Sequence, residues 1–442
     1  MNIQLSDHFT VKKLIRFVLP TVFMMIFVSI YGVVDGFFVS NFLGKDAFTA
    51  VNLIIPLPQM LGALGFLFGT GGSALVAKTM GEQKQEKANQ IFSLLMYIGI
   101  GAGIVLGLLG NLFLRPITSL LGAEGEVAEL CIAYARILLI TLPAFLLQNM
   151  FQSFLVTAEK PTFGLVITIL AGVTNLALDA LFIIVFDWGI VGAAVASGIS
   201  QLLGGLIPLV YFAGKNSKPL HLGKAVWDGK ALLHTITNGC SEYVSNIAIS
   251  VVAVLYNLQL MKHAGENGVA AYGVIMYASF IFIAIFLGYS IGVAPIIGYH
   301  YGAGNTDELK NLFRKSMIFE NGMGVILTVV SFFLARPLAQ FFVGYDAELC
   351  DLTTHALQVY AFSFLFCGVG LFGSAMFTAL NNGLISAAIS FSQTMIFPAL
   401  AILIMPAIWG IEGIWSAIIV TNFIATVVAL LLMAKYRKKY QY

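Results

Sequence analysis

Charged residues are scarce in this chain: only 10% of its 442 residues are Asp, Glu, Lys or Arg, whereas soluble globular proteins carry about 25%. This scarcity excludes an ordinary soluble enzyme, a disordered protein and a nucleic-acid-binding protein. Apolar residues make up 59% of the chain, and the mean hydropathy is +0.92. The composition therefore indicates a polytopic membrane protein built from many apolar helices.

The sequence also lacks the motifs of common enzymes and metal sites. It has neither a phosphate-binding G-x-x-x-x-G-K-[ST] loop nor an H-E-x-x-H motif, and its six histidines show no ligand spacing. Its four cysteines, Cys131, Cys240, Cys350 and Cys367, are scattered, which favours apolar packing over a disulfide or a metal site. We therefore expect no enzymatic activity, no resident cofactor and no ATP-driven pump.

Apolar stretches of spanning length recur twelve times. They cover residues 14–40, 51–77, 91–114, 130–156, 163–186, 190–213, 235–260, 269–298, 316–342, 353–380, 384–408 and 411–434. Each exceeds the roughly 20 residues that a membrane helix needs, and their continuous apolar character favours helices over β-barrel strands. The side that holds both termini carries 18 Lys and Arg and the other side carries 4, with Arg136 just inside the fourth span. The positive-inside rule then places both termini in the cytoplasm.

The two halves of the chain match each other at a constant offset of 221 positions, which is half of its length. Arg115-Pro116 recurs as Arg336-Pro337, and Trp188-Gly189-Ile190 recurs as Trp409-Gly410-Ile411. Because each half has an even number of spans, both halves enter the membrane from the same side, as parallel repeats. This pattern is typical of a transporter that moves by alternating access.

The fold class that follows is an all-α polytopic membrane protein with twelve transmembrane helices. Residues 1–214 form a six-helix N-terminal lobe, residues 235–442 form a six-helix C-terminal lobe, and residues 215–234 form a cytoplasmic linker. The two lobes are expected to face each other around a central cleft near the middle of the membrane.

Three carboxylates, Asp35, Asp179 and Glu242, fall well inside predicted spans. A charged group at that depth costs about 2.5–3.5 kcal/mol on insertion scales, so a function is expected. Asn175 lies one helical turn before Asp179 and shares its face. A carboxyl group in hydrocarbon can carry a proton, and together with amide and hydroxyl oxygens it also suits Na⁺. Both ions fit, and a purely structural use of the carboxylates is the alternative.

Further polar and aromatic residues are candidates for a substrate cleft or a hinge. Glu242 and Asn246 belong to one stripe on the seventh span. The candidate cleft residues are Glu242, Asn246, Tyr256, Met276, Tyr277 and Phe280. Pro20 lies well before Asp35 on the first span and can bend it. Glu159 and Glu320, at the ends of spans, are expected to be solvated or interfacial.

Several segments resemble the multidrug and toxic compound extrusion (MATE) family over nearly the whole chain. They are the first-span segment Tyr31-Gly-Val-Val-Asp35-Gly-Phe-Phe-Val-Ser-Asn-Phe-Leu-Gly44, the turn Gly81-Glu-Gln-Lys84 with its repeat Tyr301-Gly302, the pair Asn175-x-x-x-Asp179 and the Trp-Gly-Ile turns. Together these segments resemble the DNA-damage-inducible branch of the family and related bacterial multidrug efflux members.

That resemblance implies functions for individual residues. Asp35, Asn175 and Asp179 would form an H⁺ or Na⁺ site in the N-terminal lobe, and Pro20 would be the point about which the first span bends. Ser197, Tyr134 and Asn149 match polar partners of that site, with Ser197 in place of a frequent threonine. Glu242 resembles a cation-site glutamate of another branch, but span 10 lacks that branch's aspartate. Glu242 is therefore expected to attract cationic substrate instead.

The resemblance implies an antiporter that exports amphipathic organic cations, such as drugs and dyes, in exchange for H⁺ or Na⁺. A lipid-intermediate flippase or a small-metabolite transporter of the same superfamily is the alternative, although a flippase for pyrophosphate ligands would need a cationic cavity. We expect a monomer in a bacterial plasma membrane, in contact with lipids and not with nucleic acid.

Overall fold

The computed structural model describes residues 3–214 and 219–442, with residues 33, 37, 40, 41, 44 and 45 described by their backbone alone. Residues 215–218 of the predicted linker lie outside the described residues. The helices are α1 Val11–Phe42, α2 Gly44–Ile54, α3 Pro56–Gly81, α4 Gln85–Leu112, α5 Leu114–Leu120, α6 Gly125–Ile140, α7 Leu142–Thr157, α8 Pro161–Asp179, α9 Gly189–Ala213, α10 Gly229–Gly302, α11 Thr306–Val343, α12 Ala347–Ala361, α13 Phe364–Ala379, α14 Gly383–Phe391 and α15 Phe397–Tyr440. Two π-helical turns, Ala180–Val185 and Ser392–Ile396, follow α8 and α14.

Ten helical segments of the described chain are long and apolar enough to span a membrane, when each bent pair counts as one. Two of them, α10 with 74 residues and Gly383–Tyr440 with 58 residues, would measure about 110 and 87 Å as straight helices, far more than a bilayer needs. They break at Gly265 (φ 61°) and Gly410 (φ 57°), in backbone conformations that glycine adopts readily. Each therefore crosses twice, and the predicted twelve-helix architecture is confirmed.

The fourth and tenth spans are bent, and their bends repeat the internal duplication. α6 and α7 meet at 58°, and α12 and α13 meet at 50°. α6 ends at Ile140 and α12 ends at Ala361, which are 221 positions apart. The offset found in the sequence therefore recurs as a backbone feature that no single residue identity revealed.

The buried core shows on which side the two lobes meet. We call the side that holds residues 3–10 and the C-terminus the terminal face. The largest cluster of buried residues joins both halves there, with Phe17 and Met80 from the first half and Ile296, Leu309 and Phe377 from the second. Two further clusters of described residues each draw on one half, from Val39 to Ala194 and from Val252 to Ala417. The lobes are therefore packed together at the terminal face and separate toward the opposite face.

The segment before α1 bridges the lobes at the terminal face. Leu5 and Phe9 are fully buried. The Leu5 backbone N–H donates to Glu159 Oε1 (2.7 Å), and the Phe9 N–H donates to Glu308 Oε1 (3.0 Å). Glu159 follows α7 in the first lobe, and Glu308 lies in the first turn of α11 in the second. The half-buried Glu159, expected to be solvated or interfacial, thus also accepts a hydrogen bond from a buried backbone.

The connection between the lobes is shorter than the predicted residues 215–234. α10 begins at Gly229, because the Asp228 side chain accepts from the backbone N–H groups of Lys230 and Ala231 and so caps the helix. The described part of the connection runs along α4, where His221 N–H donates to Asn89 Oδ1 (3.1 Å).

Candidate functional site

Asp35 and Asp179 lie together in the first lobe, inside the membrane-spanning region. α1 and α8 pack closely, because the absence of a side chain at Gly172 leaves room for Phe27 and Tyr31 of α1. Asp179 is the last residue of α8 and is 0% exposed. The two carboxyl groups are within hydrogen-bonding reach of each other. The structure thus brings together two acids that are 144 positions apart in the sequence.

The oxygens of this carboxyl pair are poorly satisfied by the protein. Asp35 Oδ1 and both carboxyl oxygens of Asp179 are buried without a hydrogen-bond donor among the described residues. Two carboxylates are both acceptors, so their contact becomes a hydrogen bond only when one of them is protonated. A small cation between the oxygens would satisfy them equally. The arrangement can therefore hold one H⁺ or one monovalent cation.

Polar neighbours from three helices surround the pair. Asn175 is 2% exposed, and its Nδ2 donates to Ser197 Oγ of α9 (3.4 Å). Tyr134 of α6 is 2% exposed and lies near both acids. Asn149 is also buried, but its Nδ2 donates to the Gly62 carbonyl oxygen of α3 (3.0 Å). Asn149 is therefore engaged in helix packing, whereas Asn175, Ser197 and Tyr134 lie at the pair.

The second lobe does not repeat this chemistry. The residues 221 positions after Asp35, Tyr134, Asn175, Asp179 and Ser197 are Tyr256, His355, Ile396, Leu400 and Ile418. Neither acid has an acidic counterpart, and His355 pairs with Glu412 at 2.9 Å in an exposed position. The carboxyl pair is thus a property of the first lobe alone.

The first group of predicted cleft residues lies on α10. Glu242 is half-buried and has no ion-pair partner among the described residues. Asn246 is exposed one turn further along, and its Nδ2 donates to the Glu242 carbonyl oxygen (2.8 Å). Met276 is half-buried. A carboxyl group without an ion-pair partner therefore lies beside one accessible polar side chain, Asn246.

The aromatic candidates divide into two groups. Tyr277 and Phe280 are 46% and 42% exposed, and the Phe280 carbonyl oxygen accepts from Ser29 of α1 (3.4 Å). Phe280 therefore lies where the two lobes approach each other, and Tyr277 stacks on Phe342 of its own lobe with ring centroids 6.3 Å apart. Tyr256 is 5% exposed and stacks on Tyr272 with ring centroids 5.0 Å apart. Its ring is therefore part of the second lobe's core in this conformation, not an accessible cleft wall.

Pro20 lies inside α1, which is helical on both sides of it. A proline cannot donate the backbone hydrogen bond of its position. On either side, Val18 and Val22 pack against Gly292 and Gly288 of α10 in the other lobe. The predicted hinge residue is thus located at the contact between lobes.

Glu320 is a functional candidate that the sequence reasoning missed. It is 1% exposed, its Oε2 has no partner among the described residues, and Ser290 Oγ lies 3.5 Å from its Oε1. We expected a solvated or interfacial position, as for Arg314 and Lys315. The sequence carries no clear signal for its burial, because α11 begins at Thr306 and holds its charged turns and Glu320 in one continuous helix.

A family model described as MatE matches residues 20–181 and 243–403, once in each half. The multidrug export protein MepA of Staphylococcus aureus (strain MSSA476) is 26% identical over 418 residues, which cover 94% of this chain and 91% of that protein. MepA of Staphylococcus saprophyticus is 26% identical over 439 residues, covering 97% and 94%. A solved structure described as the outward-facing conformation of a multidrug resistance MATE family transporter of the MOP superfamily has a TM-score of 0.90 at 22% identity, with 98% of each chain covered. MATE in the straight conformation has a TM-score of 0.92 at 21% identity, again with 98% of each chain covered.

Proposed function

We propose that this chain, which belongs to the MatE family, is a secondary active antiporter that exports amphipathic organic cations in exchange for H⁺ or Na⁺. The observation that carries the proposal is the buried contact between the carboxyl groups of Asp35 and Asp179. The export of drugs is supported by the relatives, which are named multidrug export protein.

Loading of the carboxyl pair is the proposed coupling step. When both groups are ionised, two like charges face each other in a medium of low dielectric constant and repel. One proton shared between the carboxyl groups removes this repulsion. One Na⁺ would do the same, with Asn175 and Ser197 able to supply further oxygen ligands. The two states of the pair therefore differ in how closely α1 and α8 can approach.

Alternating access then follows from the two lobes. The coupling ion shifts the balance between their arrangements only by the difference in its affinity for each. The present arrangement is closed at the terminal face and corresponds to an outward-facing state, if that face is cytoplasmic as the distribution of Lys and Arg predicts. Substrate would be released from this state, and the ion would enter it.

The substrate is proposed to bind on the α10 side of the cleft. Glu242 supplies a negative charge without a protein counter-ion, and Tyr277 and Phe280 supply accessible aromatic faces. A carboxylate and aromatic faces together attract an organic cation without demanding one exact shape. Amphipathic drugs and dyes are therefore the substrate class that fits these residues.

The proposed location is a bacterial plasma membrane, with both termini in the cytoplasm. The apolar spans support a multi-pass membrane protein, and the relatives named above are bacterial. We propose a monomer that contacts lipids and small organic cations. Each lobe supplies one half of the cleft, so a single chain can complete it.

Transport of ethidium into proteoliposomes, with pH and Na⁺ gradients imposed separately, tests the proposal. Wild-type protein should respond to at least one gradient, and Asp35→Asn should abolish that response because it leaves no pair of acids. Asp46→Asn is the matched control, because it makes the same chemical change at an exposed position on α2. Gradient-driven transport by Asp35→Asn at the wild-type rate would contradict the assignment of the ion site.

A further inference from the structure

A small, partly open cavity lies in the first lobe, between the Asp35–Asp179 pair and the terminal face. Its volume is about 10 Å³, close to the smallest space that holds one water molecule. Four helices line it, with Met24 from α1, Gln148 and Gln152 from α7, Thr168 from α8 and Pro208 from α9. No charged side chain belongs to its wall.

Two amide oxygens of this cavity's lining residues have no hydrogen-bond partner in the described part of the chain. They are Gln148 Oε1 and Gln152 Oε1, and Gln152 is only 9% exposed. A buried amide oxygen without a donor is costly, so such groups normally bind ordered water. Water suits this site because each molecule offers two O–H donors and the two glutamines are one helical turn apart.

We propose that this cavity binds water and forms part of an internal route that carries the coupling ion from Asp35 and Asp179 to the terminal face. The proposal rests on the proposed ion-coupled transport. It adds a binding site for water, and two residues, Gln148 and Gln152, whose function is to orient that water.

The helices that hold the acids lead directly to the cavity. On α1, the cavity residue Met24 lies 11 residues, or about three helical turns, before Asp35. On α8, the cavity residue Thr168 lies 11 residues before Asp179. At about 1.5 Å per residue, both helices place the cavity roughly 16 Å from the acids. Both α1 and α8 begin at the terminal face, so the displacement is in the direction of release.

Two polar side chains, Ser197 and Gln201, lie on the surface of α9 that leads to the cavity. Ser197, Gln201, Gly204 and Pro208 have the spacing i, i+4, i+7 and i+11, which keeps them on one side of a helix. Ser197 accepts from Asn175 near the acids, and Gln201 Oε1 accepts from Thr141 Oγ1 (2.7 Å) one turn further.

Gly204 continues the surface and makes room for the first glutamine of the cavity. A Cβ atom at Gly204 would lie 2.7 Å from Gln148 Cδ, which is shorter than a normal contact. The polar surface therefore runs from the acids to the cavity without a gap of more than one helical turn on α9.

The second lobe lacks this polar surface, just as it lacks the acids. The residues 221 positions after Gln148, Gln152, Thr168 and Ser197 are Val369, Gly373, Ile389 and Ile418. At these four positions, polar side chains therefore occur only in the lobe that holds the carboxyl pair. The second lobe buries polar side chains at other positions, and the counterpart of Gln201 is the buried Asn422.

Release along this route is a simple proton transfer when the coupling ion is H⁺. The O–H bond of the protonated carboxyl breaks, the proton forms a bond to a water oxygen, and the carboxylate retains the electron pair. The resulting hydronium passes its proton to the next water. The glutamines hold these waters by hydrogen bonds and do not themselves change protonation. Na⁺ would instead exchange its carboxylate ligands for water and amide oxygens.

The experiment compares two modes of ethidium transport in proteoliposomes for Gln148→Met/Gln152→Met. Gradient-driven transport requires release of the coupling ion, whereas ethidium–ethidium exchange requires only substrate-loaded states. We expect gradient-driven transport to fall about tenfold, the effect of losing hydrogen bonds to a moving ion, with exchange unchanged. Gln148→Asn/Gln152→Asn, which keeps both amide oxygens, should retain most of the gradient-driven rate.

The same measurements contain the controls. Gln393→Met changes a buried glutamine of the second lobe that has partners at Asn422 and Cys367, and it should leave the ratio of the two modes unchanged. Unchanged gradient-driven transport in the double Met variant overturns the proposal, and so does an equal fall of both modes. Parallel pH and Na⁺ gradients show which ion uses the route. A wild-type protein that responds to neither gradient would instead refute the proposed antiport.

Discussion

The closure of the terminal face depends on two glycines that the duplication relates to each other. Gly81 ends α3 and Gly302 ends α10, 221 positions apart. A Cβ atom at Gly81 would lie 2.9 Å from the Tyr299 carbonyl carbon, and one at Gly302 would lie 2.8 Å from the Lys78 carbonyl carbon. Lys78 and Tyr299 are themselves 221 positions apart, so the crossing of α3 and α10 is symmetric.

Replacement of either glycine by alanine should therefore loosen this closure. Carbon atoms prefer separations of about 3.5–4.0 Å, so these carbon distances alone require the backbones to move apart by about 0.6 Å. The carbonyl oxygens of Tyr299 and Lys78 lie closer still to the two Cβ positions and require a larger movement. The neighbour is a backbone carbonyl group, which cannot rotate away as a side chain can. Overpacking of this kind costs about 1–3 kcal/mol. A cost of about 2 kcal/mol, borne only by the closed state, would change the ratio of closed to open forms roughly thirtyfold.

Spin-label distance measurements across the terminal face provide the assay. Labels at exposed Glu86 of α4 and Lys310 of α11 report on the separation of the lobes. We expect Gly81→Ala and Gly302→Ala to increase the population with a long distance, each by a similar amount. Gly322→Ala is the control, because a Cβ atom there meets nothing within 4 Å. Identical distance distributions for Gly81→Ala and wild type would refute the reasoning.

Two further predictions concern side chains at the lobe interface. Glu308→Ala should leave the buried Phe9 N–H without its acceptor and cost about 1–3 kcal/mol, so that trypsin cleaves at Lys12 roughly ten times faster; an unchanged cleavage rate would show that Glu308 does not hold the segment. Glu242→Gln should weaken binding of ethidium about five- to tenfold by removing one half-buried charge, as measured by fluorescence titration, with Glu266→Gln at an exposed position of α10 as the control. Equal affinity of Glu242→Gln and wild type would place the cationic group of the substrate elsewhere.

The sequence carried most of the information on architecture. Twelve spans, their pairing into two halves and the positions of their ends follow from apolar length and from a constant offset, since a bilayer leaves few alternatives for a chain of this composition. The bend of the fourth span has a signal in the sequence, because Pro143 lies in the first turn of α7, which directly follows Thr141. The bend of the tenth span at Phe362 has no such signal, because neither α12 nor α13 contains a proline.

The site was less predictable than the fold. Asp35 and Asp179 stood out because each is an acid within an apolar stretch, and the cost of burying charge gives such residues a general signal. Glu320 gave no clear signal, because a helix that extends beyond the membrane carries its charged turns and its buried turns in one continuous stretch. The burial of Leu5 and Phe9 was also not predicted. It depends on two hydrogen-bond acceptors, Glu159 and Glu308, which lie in different lobes and 149 positions apart in the sequence.

The two lobes contribute equally to the contact that closes the terminal face, but only the first lobe holds the carboxyl pair. Loading of the pair must therefore reach the contact through an element shared by both lobes. α3 and α10 contribute equivalent glycines to the closed face, so the contact itself favours neither lobe. The carboxyl pair lies in one lobe, and its loading can affect closure only through an element that reaches both. α1 does so: it carries Asp35, and its Val18 and Val22 pack against α10 of the other lobe on either side of Pro20. A change in how closely α1 approaches α8 must therefore either bend α1 near Pro20 or move α1 as a whole. Both movements alter the contact of Val18 and Val22 with α10.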